Sequence, residues 1–386
     1  MKYIKLGELC NIVSGGTPSR TKSEYWNNGT IPWIKIGNIK SKYVNEADEF
    51  ITEKGLQFSS AKLLPKGTLL YTIFATLGEC GILGIEACTN QAIAGLTIKE
   101  PENIFSEYIY YFLKSKKNDV TFLGRGVAQN NINLSMLRNF LVPVPSLTVQ
   151  NAIINLLAKA ECVIKLRKNE LELLDNLIKA RFVEMFGNPI LNDKSWITSS
   201  IEDVCIEIYG GGTPSKQHPE YYENGSIPWV TSKDMKCDVI CDSQIHINEK
   251  GLENSTARMV PTNSIIMVIR SGILKHTLPV AVNTAPITVN QDLKVFIPDS
   301  QKIMSRFFAL QLKMHESDIL SGVRAVTADN IEFNELKKRK IIVPPLVSQQ
   351  LFSNFLIQID KSKVAVQKSL DQAQLLFDSL MQQYFG

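Results

Sequence analysis

Six short matches recur along the chain in one order and at a nearly constant offset. They limit its architecture more than any other feature. Gly15-Gly16-Thr17-Pro18-Ser19 returns as Gly211-Gly212-Thr213-Pro214-Ser215, 196 residues on. Ile31-Pro32-Trp33 returns as Ile227-Pro228-Trp229, and Glu53-Lys54-Gly55-Leu56 as Glu249-Lys250-Gly251-Leu252, again at 196. Asn90-Gln91 matches Asn290-Gln291, and Pro145 with Gln150 matches Pro345 with Gln350, both at 200. Phe186-Gly187 matches Phe385-Gly386 at 199. The period is far too long for a solenoid repeat, so the chain is read as a duplicated domain with its following segment.

Each copy ends in a helical stretch. From about Thr148 to Phe186 there is no Gly and no Pro. Apolar residues recur at helical spacing through Ile153, Leu156, Leu157, Ala160, Val163 and Ile164, then Leu171, Leu174, Ile178 and Met185. Gly187 and Pro189 end the pattern. At 1.5 Å per residue this helix reaches roughly 55–60 Å and needs a partner for its stripe. Ser348 to Phe385 supplies one, with a seam of Val366, Leu370, Ala373, Phe377, Leu380 and Tyr384 in heptad spacing. The expected fold is α+β, with two similar mixed α/β domains separated by two long antiparallel helices forming a coiled coil. The expected segments are 1–145, 146–187, 188–345 and 346–386.

The net charge of +4 is unevenly placed. Residues 1–145 carry 16 Lys/Arg against 12 Asp/Glu, and residues 188–345 carry 17 against 18. A polyanionic partner would therefore need local basic patches rather than bulk charge. The seven cysteines are scattered and odd in number, which predicts reduced thiols and a cytoplasmic setting. No uninterrupted apolar run approaches twenty residues, so no membrane span or signal peptide is expected. Cys237, Cys241 and His246 lack the second Cys/His pair a zinc site needs, so no metal is expected.

Enzyme motifs are missing. There is no phosphate-binding Gly-x-x-x-x-Gly-Lys-Ser/Thr loop, no Gly-x-Gly-x-x-Gly and no His-Glu-x-x-His. Asn188-Pro189-Ile190-Leu191 departs from the Asn/Asp-Pro-Pro-aromatic motif of amino-methyltransferases. Asp292-Leu293-Lys294 has the form of a nuclease triplet, but the first copy places Ala92 and Ala94 there.

A tandem of domain, long helix, domain, long helix resembles the specificity subunit of type I restriction–modification systems. Each copy carries the Gly-Gly-Thr-Pro-Ser turn, the Ile-Pro-Trp strand and a later Gly-Leu. Each also has a Val-Pro boundary (Val142-Pro143-Val144-Pro145 and Val343-Pro344-Pro345-Leu346) and a Phe-Gly end. The resemblance covers essentially the whole chain. It implies that each domain is a target recognition domain reading half of a bipartite, asymmetric site in double-stranded DNA. It implies that the helices set the spacing and dock two modification (methyltransferase) subunits, which restriction subunits join. S-adenosylmethionine, ATP and Mg would sit on those partners, leaving this chain non-catalytic. The alternative is a tandem-domain coiled-coil adaptor that reads no bases.

Base reading calls for Arg or Lys toward guanine and Asn or Gln toward adenine. On the resemblance, the first-copy candidates are Arg20, Lys22, Lys35, Asn38 and Lys62, with the loop residues Arg125, Gln129, Asn130 and Asn131. The second-copy candidates are Lys216, Gln217, His218, Ser232, Lys233, Lys236 and Arg258. Arg270, Lys275, His276, Arg324 and Thr327 complete that set. Gly15-Gly16 and Gly211-Gly212 are expected as tight turns needing positive φ, or else as backbone cradles for a phosphate. Trp33 and Trp229 are expected in the core.

Overall fold

A computed structural model describes residues 2–117, 119, 132–322, 324, 325 and 329–386. The chain divides into two compact units, Met1–Asn169 with Val366–Gly386, and Glu170–Ala365.

In the first unit, β1 (Lys2–Lys5) pairs antiparallel with β10 (Leu141–Val144), closing the ends of the globular part. Between them, β2 (Cys10–Ser14), β4 (Tyr43–Val44), β6 (Leu69–Thr72), β7 (Cys80–Leu83) and β9 (Ile93–Ile98) form a five-stranded sheet ordered β2-β9-β6-β7-β4. A three-stranded sheet, β5-β3-β8, joins β3 (Ile31–Ile34), β5 (Glu49–Ile51) and β8 (Cys88–Thr89). The central strand β6 is buried along its whole length, at Leu69, Leu70, Tyr71 and Thr72. That pattern belongs to a strand covered on both faces. The helix Ser106–Ser115 lies against this sheet and buries Tyr108 through Leu113.

The second unit repeats the plan strand for strand. β11 (Thr198–Ser200) pairs antiparallel with the last strand, Lys340–Ile342. Between them run β12 (Cys205–Gly210), β13 (Ile227–Val230), β14 (Val239–Ile240), β15 (His246–Ile247), β16 (Ile265–Val268), β17 (Val280–Asn283), β18 (Thr288–Val289) and β19 (Leu293–Pro298). They form a larger sheet, β12-β19-β16-β17-β14, and a smaller one, β15-β13-β18. The drifting offset now has a structural origin. The β6–β7 connection is residues 73–79, whereas β16–β17 is 269–279 and contains the helical turn Gly272–Lys275. Four residues added there shift the offset from 196 to 200. One residue lost between β19 and the helix Ser305–Met314 then brings it to 199.

The central helix, Leu147–Phe186, and the C-terminal helix, Leu346–Phe385, each run 40 residues. In the first unit the middle of the central helix meets the middle of the C-terminal one, where Arg167 Nε donates to Ser369 Oγ at 3.1 Å. In the second unit the later part of the central helix meets the opening of the other: Phe182 packs edge-on to Phe352 at 5.6 Å, and Lys363 pairs with Asp175. The two helices are therefore antiparallel. Val366, Leu370, Phe377 and Leu380 are buried as the heptad reading requires, with Ala373 and Tyr384 half-buried.

The central seam differs in part from the expectation. Ile153, Leu157, Ala160, Ile164 and Ile178 are buried, but Leu156 and Val163 are 40% and 41% exposed. With Leu166, Leu173 and Leu177 they form a second apolar stripe on the outside. This helix is long and apolar enough to cross a membrane by length and composition. Its buried seam and its outer stripe together supply that apolar character.

Both helices end by inserting an aromatic ring into a domain. Phe186 packs on Phe307 at 4.9 Å in the second unit. Phe385 packs on Tyr108 at 5.2 Å in the first, so the last residues of the chain return to its first domain.

Candidate nucleic-acid interface

The duplicated motifs build a common scaffold in each domain. Gly16 O accepts the indole N–H of Trp33 at 2.9 Å, and Gly212 O accepts that of Trp229 at 2.9 Å. Both tryptophans are buried, as expected. Thr17 hydrogen-bonds Gln91, and Thr213 hydrogen-bonds Gln291, through their side chains. Sequence reading found these four residues in matched motifs but did not join them; their parallel offsets were the available signal.

The glycine expectation needs correction. Gly15, Gly16, Gly211 and Gly212 are not among the positive-φ glycines, Gly67, Gly78 and Gly187. They are required by close approach instead: a Cβ on Gly16 would lie 2.3 Å from the Ser60 carbonyl carbon, and one on Gly212 2.2 Å from the Ala257 nitrogen. Their N–H groups are already used. Gly15 N donates to Ile93 O and Gly16 N to Thr89 O, while Gly211 N donates to Leu293 O and Gly212 N to Val289 O. They do not form a phosphate cradle.

Around this scaffold the candidate readers fall into distinct states. Arg20 lies 3.6 Å from the Trp26 ring centroid and pairs with Glu49 at 2.5 Å. Lys35 pairs with the other Glu49 oxygen at 2.5 Å. Lys35 above all, with Arg20, holds the Glu49 carboxyl below the usual carboxylate range. Sequence reading missed Glu49, and β5, which brings it to β3, is the element it lacked. Asn38 caps the helical turn Ile36–Asn38, its Oδ1 accepting from Lys35 N at 2.8 Å. Lys22 donates to the Tyr25 hydroxyl at 3.0 Å, and Lys62 is exposed.

In the second domain Arg258 makes two hydrogen bonds to Glu207, at 2.9 and 3.3 Å, and lies over Tyr209. Arg270 pairs with Asp292 at 2.6 Å. That contact neutralises the carboxylate of the nuclease-like triplet, and no metal-holding cluster exists among the described residues. Lys216, Gln217, Lys233 and Lys236 are exposed and Ser232 is half-buried. His218 meets Glu220 at 2.8 Å, and Arg270, Lys275 and His276 ride on the longer β16–β17 connection. Arg324 lies in the short strand Arg324–Ala325, paired with Asp329–Asn330. Arg125, Gln129, Asn130, Asn131 and Thr327 lie outside the described residues.

The two domains thus define a class: a tandem α+β protein with one scaffold in duplicate, joined by an antiparallel helix pair. Residues 1–176 and 193–374 match the family model described as the type I restriction modification DNA specificity domain, and the chain belongs to that family. It is similar to the type I restriction enzyme MjaIX specificity subunit of Methanocaldococcus jannaschii, at 26% identity over 98% of this chain and 90% of the relative. It is also similar to the EcoR124I/EcoR124II specificity subunit of Escherichia coli, at 27% identity over 93% of this chain and 87% of the relative. Among solved structures, the S subunit of a type I restriction–modification system from M. genitalium shares the fold. It has a TM-score of 0.58 and 15% identity, covering 100% of this chain and 96% of that one. A structure from work on assembly and conformational transition of the type I R-M system aligns with a TM-score of 0.61 and 16% identity, covering 100% and 97%.

Proposed function

We propose that this chain is the DNA-sequence-recognition subunit of a type I restriction–modification complex and catalyses nothing itself. Each domain reads one half of a bipartite, asymmetric target in double-stranded DNA. The observation that carries the reading is the contrast between a duplicated scaffold and diverged exposed residues. Gly16, Thr17, Trp33 and Gln91 have identical, identically bonded counterparts. At the same offset of 196, the exposed Arg20 aligns with Lys216, Lys22 with His218 and Lys62 with Arg258, and Lys35 aligns with Thr231. One frame carrying two sets of donors and acceptors suits two different half-sites.

The helix pair then serves as spacer and dock. Linking two readers at a fixed separation raises the effective concentration of the second contact once the first is made. The outer stripe of Leu156, Val163, Leu166, Leu173 and Leu177 supports docking of two modification subunits, because partly exposed apolar rows of this kind mark protein interfaces. S-adenosylmethionine, ATP and Mg2+ belong to those and to the restriction subunits, in the cytoplasm. The test is a methylome of cells carrying this chain with its modification subunit. Exchanging the first domain for that of a relative should change one half-site and leave the other. An unchanged methylated target after both domains are exchanged refutes the reading.

A further inference from the structure

In the first unit, a cleft of about 860 Å3 opens between the segment after Asn38, the helix Ser106–Ser115 and the helix pair. Six lysines line it: Lys40, Lys42, Lys114, Lys117, Lys165 and Lys168. Its two carboxylates are already engaged, Glu161 by Lys114 and Glu79 by Lys117 at 2.6 Å. Lys40, Lys42, Lys165 and Lys168 have no ion pair among the described residues. Lys42 is half-buried among tyrosines, its ammonium 4.8 Å from the Tyr111 ring centroid and 5.4 Å from that of Tyr110. Burial lowers its pKa, so the charged form is under-compensated there.

The duplicate supplies an internal comparison. The corresponding cleft of the second unit, about 500 Å3, is lined by Lys179, Lys236 and Lys313 against Asp175, Asp238 and Glu316. Its charges balance, whereas the first cleft carries a lining charge of +4. Asp238 stands where Lys42 stands and pairs with Lys313. Val364 and Gln367 stand where Lys165 and Lys168 stand.

We propose that the lysine cleft of the first unit is a phosphate-backbone clamp for duplex DNA, one that the second unit lacks. The proposal rests on the DNA-recognition reading and deepens it. One feature favours a nucleic-acid backbone over an acidic protein segment. The cleft wall is continuous with a candidate reader: Lys35 opens the turn Ile36–Asn38, and Ile39 and Lys40 enter the wall directly after it. Its ammonium groups act as point charges, the way lysine binds phosphate. Contacts of this kind position the duplex without reading sequence. The duplex is therefore held more firmly, and more salt-sensitively, on the first half-site than on the second.

The test uses the full chain assembled with its modification subunits. Lys40→Gln, Lys165→Gln and Lys168→Gln are combined; all three side chains are exposed, so folding is spared. Binding is measured against salt for a duplex carrying the methylome-derived target and for a random-sequence duplex. Affinity for both should fall by a similar factor, about tenfold or more, and the log–log salt slope should drop by roughly 2–3. Lys179→Gln, in the balanced cleft of the second unit, should leave the slope almost unchanged. An unaltered slope in the triple variant overturns the proposal, as does weakened subunit assembly with DNA binding intact, which would mark an acidic protein segment as the occupant. Failure of the recognition reading looks different: the unmodified complex would then bind its target no better than the random duplex.

Discussion

The buried carboxamide of Gln150 accepts the backbone N–H of Phe105 at 3.1 Å, tying the first turn of the central helix to the start of the helix Ser106–Ser115. Its amide nitrogen donates to Asn103 O at 3.2 Å and Pro145 O at 3.0 Å. Gln349 repeats the arrangement with Met304 N, Lys302 O and Pro344 O. The counterpart of Gln150 is therefore Gln349, and that of Pro145 is Pro344, rather than Gln350 and Pro345 as motif matching suggests. Gln350 points outward and bonds Asn354 instead.

Replacing Gln150 with Ala frees one half-buried N–H and two carbonyls, that of Asn103 within reach of water. Losing these bonds at part-buried positions should cost about 1–2 kcal/mol. Gln349→Ala should cost a similar amount and Gln350→Ala almost nothing. Urea denaturation of the full chain and its variants measures this. Equal midpoints for Gln349→Ala and Gln350→Ala would refute the assignment.

That one-residue slip shows where sequence reasoning reaches and stops. The duplication, both helices and the C-terminal seam were legible because each rests on a periodicity or on a repeat of several residues. Gln349 was not, because Pro344-Pro345 and Gln349-Gln350 are doublets, and a one-residue deletion upstream decides between them. Leu156 and Val163 were misassigned to the buried face because the central helix has two apolar stripes, and composition does not say which meets a partner within the chain. Glu49 was invisible because an ion pair across a sheet depends on strand pairing, not on spacing in sequence. Asn38, a plausible adenine reader by type, spends its carbonyl on a cap.

Gly16→Ala and Gly212→Ala should each destabilise their own domain by about 3 kcal/mol or more. The new methyl would sit within 2.4 Å of neighbouring backbone, which is overpacking against atoms that cannot turn away. Gly37→Ala, where a Cβ meets nothing within 4 Å, is the control. Thermal unfolding followed by circular dichroism distinguishes the three. A mild effect at Gly16 would mean that the strand–turn packing adjusts more freely than the geometry allows.

Glu49 neutralises Arg20 and Lys35 together, and its counterpart in the second copy is Ile245. Glu49→Gln should release both cations toward DNA, raising affinity and steepening the salt dependence by about 1. Only the base preference of the first half-site should relax. Competition binding with duplexes randomised in one half-site at a time reads this out. Relaxation of the second half-site alone would remove Arg20 and Lys35 from the reading surface.

His315 is 3% exposed, and neither ring nitrogen has a hydrogen-bond partner. Burial first, then the charge of Arg339, lowers its pKa to about 4 from an ordinary 6.5. Between those values the unfolded chain binds a proton that the folded one refuses. The contribution is therefore complete above about pH 6.5 and is lost as pH falls toward 4. The shift corresponds to about 3 kcal/mol across that window. Urea titrations at pH 7 and pH 4.5 should show a smaller acid-induced loss for His315→Leu than for the unmodified chain. Equal losses would mean that His315 is protonated in the folded state.

The helix pair makes a prediction about spacing that a single-helix insertion cannot test. The boundary between the compact units crosses both helices, at Asn169/Glu170 and at Ala365/Val366. Because the helices run antiparallel, four residues added to one alone would throw its seam out of register with the other. Seven added to both, one heptad at each crossing, preserve the seam. A heptad lengthens a helix by roughly 10 Å, against about 3.4 Å per base pair of duplex. On the recognition reading, the methylated half-sites should keep their sequences while the gap between them grows by about 3 base pairs. A one-sided heptad should instead destabilise the chain without defining a new gap. Methylome sequencing with the paired insertion decides the matter: an unchanged gap with retained methylation would show that the helices do not set the spacing.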